Sequence, residues 1–269
     1  MAPGDSVLVT GAGGFIGSHL VEALVREGHR VRAFVRYNGR GDVGSLRHVP
    51  DEVRSSVEVE MGDLRDANAV AEAARGVDVI YHLGALVGIP YSYVHPRETV
   101  ESNVTGTLNV LLAARDGRVR RVVHTSSSEV YGTARSVPMS EGHPLRGQSP
   151  YSASKIGADA LAESFFLSFG VPVVTVRPFN TYGPRQSARA VIPTIVTQAL
   201  AGDVVRLGAL TPTRDLTFVT DQVEGFLRAG RTPGIEGRTV HLASNEETSV
   251  GALVEQVAGL LGRSVRVET

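Results

Sequence analysis

The chain has 269 residues, 42% hydrophobic and 20% charged, with a net charge of −1 and no cysteine. That is a globular composition, large enough for one principal domain with a smaller lobe, and it excludes disulfides, thiolate metal sites and cysteine nucleophiles. Basic residues are scattered apart from Arg118, Arg120 and Arg121, no apolar run reaches the length of a membrane span, and the eight histidines offer no metal-ligand pair at helical spacing, so nucleic acid, membrane and metal are not expected.

The first residues carry no basic leader and run into a strand predicted over 6–10, which places the protein in the cytoplasm. Between that strand and a helix over 14–27 lies TGAGGFIG (10–17), with glycines at 11, 14 and 17. Such a turn lets backbone N–H groups of Gly11, Gly14, Phe15, Ile16 and Gly17 approach a pyrophosphate at a helix N-terminus. The plainer alternative is a tight strand–helix turn with no ligand. A second strand over 31–35 ends in Arg36-Tyr37-Asn38 with no carboxylate for ribose hydroxyls; Arg36 suits a 2′-phosphate, which predicts NADP, with NAD as the alternative. Strands over 57–61 and 77–82 are followed by Asp63-Leu64 and Leu83-Gly84-Ala85, where strand carboxyl ends meet a ligand crevice. Asp63 reads either as an acceptor for the adenine amino group or as a cap of the helix over 67–75.

Farther on, a helix over 96–115, a strand over 121–125, a helix over 150–169 and a strand over 173–177 continue the alternation. Nearly all-apolar strands separated by helices predict an α/β fold, a Rossmann-type doubly wound parallel sheet over 1–177. Beyond it, loops rich in proline and glycine connect helices over 190–201, 221–229 and 249–261, which predicts a small C-terminal substrate lobe over 178–269 with some segments returning to the first domain.

The chemistry concentrates at TSSSEVYG (125–132) and YSASK (151–155). Tyr151 and Lys155 share a helix face, and the ammonium would favour the phenolate of a group that is otherwise a poor base at neutral pH. Glu129 is either a turn residue or a base, and Ser126 and Ser128 either satisfy backbone groups or join the site. His82 and His124, at strand ends, read as satisfied core histidines.

Taken together, TGAGGFIGSHL (10–20), HLGA (82–85), SNVTGTLNV (102–110), HTSSSEVYG (124–132), YSASK (151–155), RPFNTYGPRQ (177–186) and RDLTFV (214–219) make the chain resemble the extended short-chain dehydrogenase/reductase family of nucleotide-sugar epimerases and dehydratases. The resemblance implies that Ser127 orients a sugar 4-hydroxyl, that Tyr151 is the base for oxidation at C4, and that Lys155 holds the nicotinamide ribose, with Pro178 also on the cofactor. It implies substrate contacts from Asn103, Asn180, Arg185 and Arg214, a nucleotide-diphosphate sugar as substrate, and a homodimer paired through the helices at 96–115 and 150–169. Within that family Glu129 points to a 4,6-dehydratase, a lyase that removes a proton from C5. Ser128 stands where many such enzymes carry an aspartate, and the Ser-Glu pair is shared with uronate decarboxylases. A 4-epimerase or decarboxylase, and a non-catalytic NADP-binding protein, are the alternatives. Family members usually continue past the last helix, so the expectation is either a pared-down lobe or a truncated chain that binds sugar poorly.

Overall fold

The structure, a computed structural model, describes residue 1 and residues 4–269. The fold is organised by short strands. In chain order these are β1 (Ser6–Thr10), β2 (Arg30–Arg36), β3 (Glu58–Gly62), β4 (Val79–His82), β5 (Arg121–Thr125), β6 (Val173–Pro178), β7 (Asn180–Tyr182), β8 (Val204–Arg206), β9 (Thr213–Phe218), β10 (Thr239–Leu242), β11 (Glu247–Ser249) and β12 (Arg266–Glu268).

The chain divides into two compact units, residues 1–178 with 220–242, and residues 179–219 with 243–269. In the first, an all-parallel sheet of order β10-β6-β5-β4-β1-β2-β3 forms an α/β Rossmann-like core. The order reverses between β1 and β4, and that switch point opens a crevice at the strand carboxyl ends. Covering the sheet are α1 (Phe15–Arg26), the short α2 (Asp51–Arg54), α3 (Ala67–Ala73), α4 (Ile89–Val94), α5 (Pro96–Val100), α6 (Gly106–Asp116) and α7 (Pro150–Phe169). Between α5 and α6 the helix widens into a π turn over Glu101–Thr105, so the single helix expected over 96–115 carries a local bulge. Leu8, Ile80, Val122 and Val173 from four strands pack with Val110, Leu111, Ala162 and Phe165 from α6 and α7. The central strands β1, β4, β5 and β6 are buried almost throughout, which is why they read as apolar runs rather than as alternation.

Helix α7 starts where its residues dictate. Ser149 Oγ accepts from Ser152 N (3.1 Å) while Ser152 Oγ accepts from Ser149 N (2.9 Å), a reciprocal capping box with Pro150 at the first turn. Gly170, left-handed at φ 68°, ends it.

In the second unit α8 (Val191–Ala201) and α10 (Val250–Leu261) pack Ile195, Ala199, Leu253 and Val254 around Val205. β9 pairs with β7 in parallel and β11 antiparallel, and β8 pairs with β12. A further helix, α9 (Val219–Arg231), precedes β10. Strand β10 was not expected: TVHL is too short and polar to announce itself, and it is a strand because β6 offers it a free edge in register, Thr239 against Thr175 through Leu242 against Pro178. Among the described residues no helix is long and apolar enough to cross a membrane, and no cluster of potential metal ligands occurs.

Candidate active site

The crevice floor is backbone. Gly11 follows β1 at φ +69°, and a Cβ there would stand 2.7 Å from Gly84 N, so only glycine lets the turns after β1 and β4 touch. A Cβ on Gly17 would collide with Gly11 O, so that position too must be bare for α1 to approach the turn. Gly14 N donates to Gly11 O (2.9 Å), and the following amides of Phe15, Ile16 and Gly17 open α1, where helix geometry leaves N–H groups without an intrahelical acceptor. A cavity of about 120 Å³ adjoins this turn, lined among others by Gly11, Arg36, Asp63, Leu64, Gly84 and Ala85. Bare backbone at a helix N-terminus beside a mostly apolar slot fits a dinucleotide: pyrophosphate over α1, adenosine in the slot.

Two assignments at the adenosine end change with the structure. Arg36 Nη2 is paired with Glu98 Oε1 at 2.9 Å, so the guanidinium read as a phosphate ligand already holds a carboxylate. Asp63 lines the cavity but does not cap α3, and its carboxylate is already engaged. It accepts from Arg65 N (2.9 Å) and Arg65 Nη2 (2.6 Å), and the bond to Arg65 outweighs burial to hold its carboxyl below the usual range. Asp66 is the cap of α3, accepting from Asn68 N and Ala69 N.

Below the crevice, His82 is wired at both nitrogens. Gly84 N donates to Thr10 Oγ1 (3.1 Å), whose hydroxyl donates to His82 Nδ1 (2.7 Å). Thr107 Oγ1 donates to Asn103 O (2.6 Å), leaving its oxygen to accept from His82 Nε2–H at 3.0 Å. The ring is therefore neutral, and burial, with His124 and Lys155 nearby, keeps its pKa well below the ordinary value. It is a strut for the Leu83-Gly84 turn, as its strand-end position suggested.

Asn103 also proves to be a strut, which corrects its expected place on the substrate. Its Oδ1 accepts from Leu86 N (2.7 Å), and its Nδ2 donates to Leu86 O (3.0 Å) and to Ser154 Oγ (2.9 Å), whose hydroxyl donates to Tyr151 O (2.6 Å). With three bonds made and 1% exposure, its amide ties the loop after β4 to the first turn of α7.

At the end of β5 the chain turns sharply into a 3-10 segment, Ser128–Tyr131, whose second amide, Glu129 N, is capped by Ser127 Oγ at 3.2 Å. Ser126, Val130 and Tyr131 are buried, whereas Ser127, Ser128 and Glu129 are half-buried, so the turn presents one hydroxyl pair and one carboxylate. Tyr151 faces them. Burial pushes its phenol up to about 12, a hydrogen bond with Ser127 pulls the other way, and the charge of Glu129 is near enough to raise it further. Lys155, one turn on, is 3% exposed and donates from Nζ to Thr125 O at 2.8 Å. Burial lowers its ammonium to about 8, and Asp159, a further turn along α7, opposes that fall.

Asp159 was not singled out from sequence, although its four-residue spacing from Lys155 was the available signal. It accepts from Ser126 Oγ (2.7 Å) and Arg177 Nη2 (2.9 Å), and lies 3.1 Å from His124 Nε2. Burial would raise its carboxyl, but these partners hold it below the usual range. Arg177 in turn donates from Nη1 to Tyr131 OH (2.7 Å), so Tyr131 packs in a polar network and does not face the turn.

Pro178 ends β6, beside Leu242 of β10. In the second unit Asn180 lies on β7 opposite Leu216 of β9, and with Arg214 it lines a cavity of about 330 Å³ that includes Thr181, Gln186 and Leu253. Arg185 sits in the following loop at φ +69° and is not among the residues lining that cavity. Asp215, passed over in the sequence, accepts from Ser244 N (2.9 Å) and Asn245 N (2.7 Å) and so anchors the loop before β11 to β9.

Residues 8–269 match the family model described as GDP-mannose 4,6 dehydratase. The chain is 36% identical over 264 residues to a UDP-glucose 4-epimerase of Mycolicibacterium smegmatis, covering 95% of this chain and 82% of that one. It is 32% identical over 271 residues to a UDP-N-acetyl-alpha-D-glucosaminuronate decarboxylase of Bacillus cytotoxicus, covering 97% and 81%. Among solved structures, a double mutant of the dTDP-glucose 4,6-dehydratase of Streptomyces venezuelae with NAD bound superposes with a TM-score of 0.87 at 33% identity, covering 97% of this chain and 84% of that one. With the glycine-floored crevice, the parallel sheet and these likenesses in hand, the chain belongs to the extended short-chain dehydrogenase/reductase family of nucleotide-sugar epimerases and dehydratases, enzymes built around a nicotinamide dinucleotide.

Proposed function

We propose that the protein is a nucleotide-sugar 4,6-dehydratase that binds NAD and keeps it through the cycle. The observation that carries this is Glu129, half-buried on the turn after β5, with its charge felt at Tyr151 and with Ser127 capping its amide. A 4-epimerase has no need of a carboxylate there, because rotation of a 4-keto sugar moves no proton at C5.

Gly11, Gly14, Phe15, Ile16 and Gly17 would hold the pyrophosphate, Leu64, Leu83, Gly84 and Ala85 would line the path of the cofactor, and Tyr151, Lys155 and Pro178 would flank the nicotinamide end. A nicotinamide bound there would supply the redox chemistry, taking up a hydride from C4 and giving one back at C6. Tyr151 takes the C4 hydroxyl proton while Ser127 orients that hydroxyl. A phenol near 12 is too weak a base at neutral pH, so its work depends on the Lys155 ammonium and on positive charge brought by the oxidised cofactor. Once C4 is a ketone, C5–H is acidic and Glu129 removes it. The C6 hydroxyl then leaves as water. Ser128 offers no acid at this pH, so Glu129 itself, protonated by the C5 abstraction, returns that proton to the departing hydroxyl; hydride addition at C6 then leaves a 4-enolate that takes a solvent-derived proton at C5 by way of Glu129, and the hydroxyl proton held by Tyr151 passes to solvent, so one water is lost and the protons balance. Asn180, Arg185 and Arg214 are assigned to the nucleotide diphosphate. NAD replaces the NADP expected from Arg36, because Arg36 is engaged by Glu98 and the solved dehydratase relative holds NAD. A homodimer is proposed on the exposed apolar residues Val94, Val100, Leu167 and Phe169 of α4, α5 and α7.

The likeness to a uronate decarboxylase, with the Ser128-Glu129 pair, supports a second reading in which the 4-keto intermediate loses carbon dioxide. Incubating the purified protein with UDP-, GDP- and dTDP-hexoses and with a UDP-uronate separates them by product mass. Loss of one water supports dehydration, loss of carbon dioxide supports the second reading, and unchanged mass with inverted C4 refutes both.

A further inference from the structure

The sequence offers no carboxylate at the end of β2, the place where a dinucleotide's adenosine ribose is ordinarily met by an acid. The fold supplies one from elsewhere. Glu98, on α5 and 62 residues away in sequence, sets Oε1 at 2.9 Å from Arg36 Nη2. Its Oε2 accepts from Tyr91 OH, and the Tyr91 ring is braced against His95, with centroids 4.5 Å apart. The backbone continues the brace, His95 N donating to Tyr91 O (2.9 Å) and Thr99 Oγ1 to His95 O (2.9 Å). Glu98 is thus held at a defined point by Tyr91 as well as by Arg36.

Arg36 lines the slot beside the glycine turn, as does Asp63. The charges around that edge are Arg36, Arg65 and Arg97 against Asp63, Glu98 and Glu101, with Arg65 shared between Asp63 (2.6 Å) and Glu101 (3.8 Å) and Arg97 also on Glu101 (4.0 Å). Each guanidinium there is therefore already engaged by a carboxylate. A 2′-phosphate would bring close to two more negative charges to this rim and would have to displace Glu98 from Arg36. A free 2′-hydroxyl carries no such burden and can donate to the Glu98 carboxylate.

We infer that Glu98, positioned by Tyr91 and masking Arg36, is the residue that selects NAD over NADP in this chain. The inference rests on the dinucleotide reading above. It assigns to Arg36 a different part from the one its position in the sequence suggests: the guanidinium is the anchor of a selective carboxylate, and it becomes a phosphate ligand only when that carboxylate is removed.

Calorimetric titration of NAD⁺ and NADP⁺ into cofactor-stripped protein tests this without recourse to activity. Wild type should prefer NAD⁺. Glu98→Gln should move the ratio of the two dissociation constants about tenfold toward NADP⁺, equivalent to about 1.4 kcal/mol, mainly by tightening NADP⁺. Tyr91→Phe, which leaves every charge in place and frees Glu98, should move it the same way by a smaller factor, and both shifts should shrink as salt rises. If both dinucleotides bind wild type and each variant yet the ratio stays within threefold, Glu98 is not the selector. If neither binds wild type, the dinucleotide reading itself falls, and this inference with it.

Discussion

Lys155 makes the sharpest energetic prediction. Its ammonium is buried, bonded to Thr125 O at 2.8 Å, and its pKa falls from 10.5 to about 8, chiefly through burial. At 1.36 kcal/mol per pH unit this corresponds to about 3 kcal/mol by which the fold disfavours the charged form. Because the folded value lies below the unfolded one, the penalty is fully present below pH 8, fades between about 8 and 10.5, and is absent above that window. Lys155→Met removes the charge and nearly keeps the volume. Its unfolding free energy relative to wild type should therefore fall by about 3 kcal/mol between pH 7 and pH 10.5, the variant losing its advantage as the wild-type amine becomes neutral. Urea unfolding of both proteins at the two pH values, followed by circular dichroism, measures this double difference, in which titrations not coupled to Lys155 cancel. A difference that does not change with pH would show that the ammonium is not buried at the end of β5, and the electrostatic account of Tyr151 would fail with it.

Other expectations follow from the struts around the site. Asp159→Asn removes the carboxylate that supports Lys155 and leaves Arg177 buried without its ion pair, so the alkaline limb of the kcat/KM profile should move to lower pH and stability should fall by about 3–5 kcal/mol. Asn103→Ala leaves the backbone groups of Leu86 without their partner, and thermal melts should show a loss of about 1–3 kcal/mol. Gly17→Ala drives a methyl into Gly11 O; the strain of about 1–3 kcal/mol falls on the pyrophosphate turn and should weaken NAD⁺ about 10–100-fold by calorimetry.

What could be read from the chain was what is local. The glycine turn, the i, i+4 pair Tyr151 and Lys155, the apolar strands and the capped start of α7 are each set by residues within a few positions of one another, and the parallel sheet follows from their alternation. Long-range partners were silent. Glu98 meets Arg36 only because α5 passes the end of β2, and β10 is a strand only because β6 leaves an edge for it. Asn103 looked like a ligand because its motif sits beside the site, but polar satisfaction at 1% exposure claims its whole amide for Leu86 and Ser154. Asp63 is not the cap of α3, because Asp66 takes that place while Arg65, two residues on, takes the Asp63 carboxylate. Asp159 was legible by spacing alone, yet its importance shows only once β5 and β6 bring Ser126 and Arg177 to it.

The central claim is that Glu129 moves the C5 proton of a sugar already oxidised at C4. It is tested most directly by turnover in deuterium oxide with whichever nucleotide-hexose the mass assay identifies, comparing wild type with Glu129→Gln. The account predicts that the variant still reduces bound NAD⁺ with its sugar, seen as nicotinamide absorbance, while deuterium no longer enters C5. Normal deuterium uptake at C5 in the variant would contradict it.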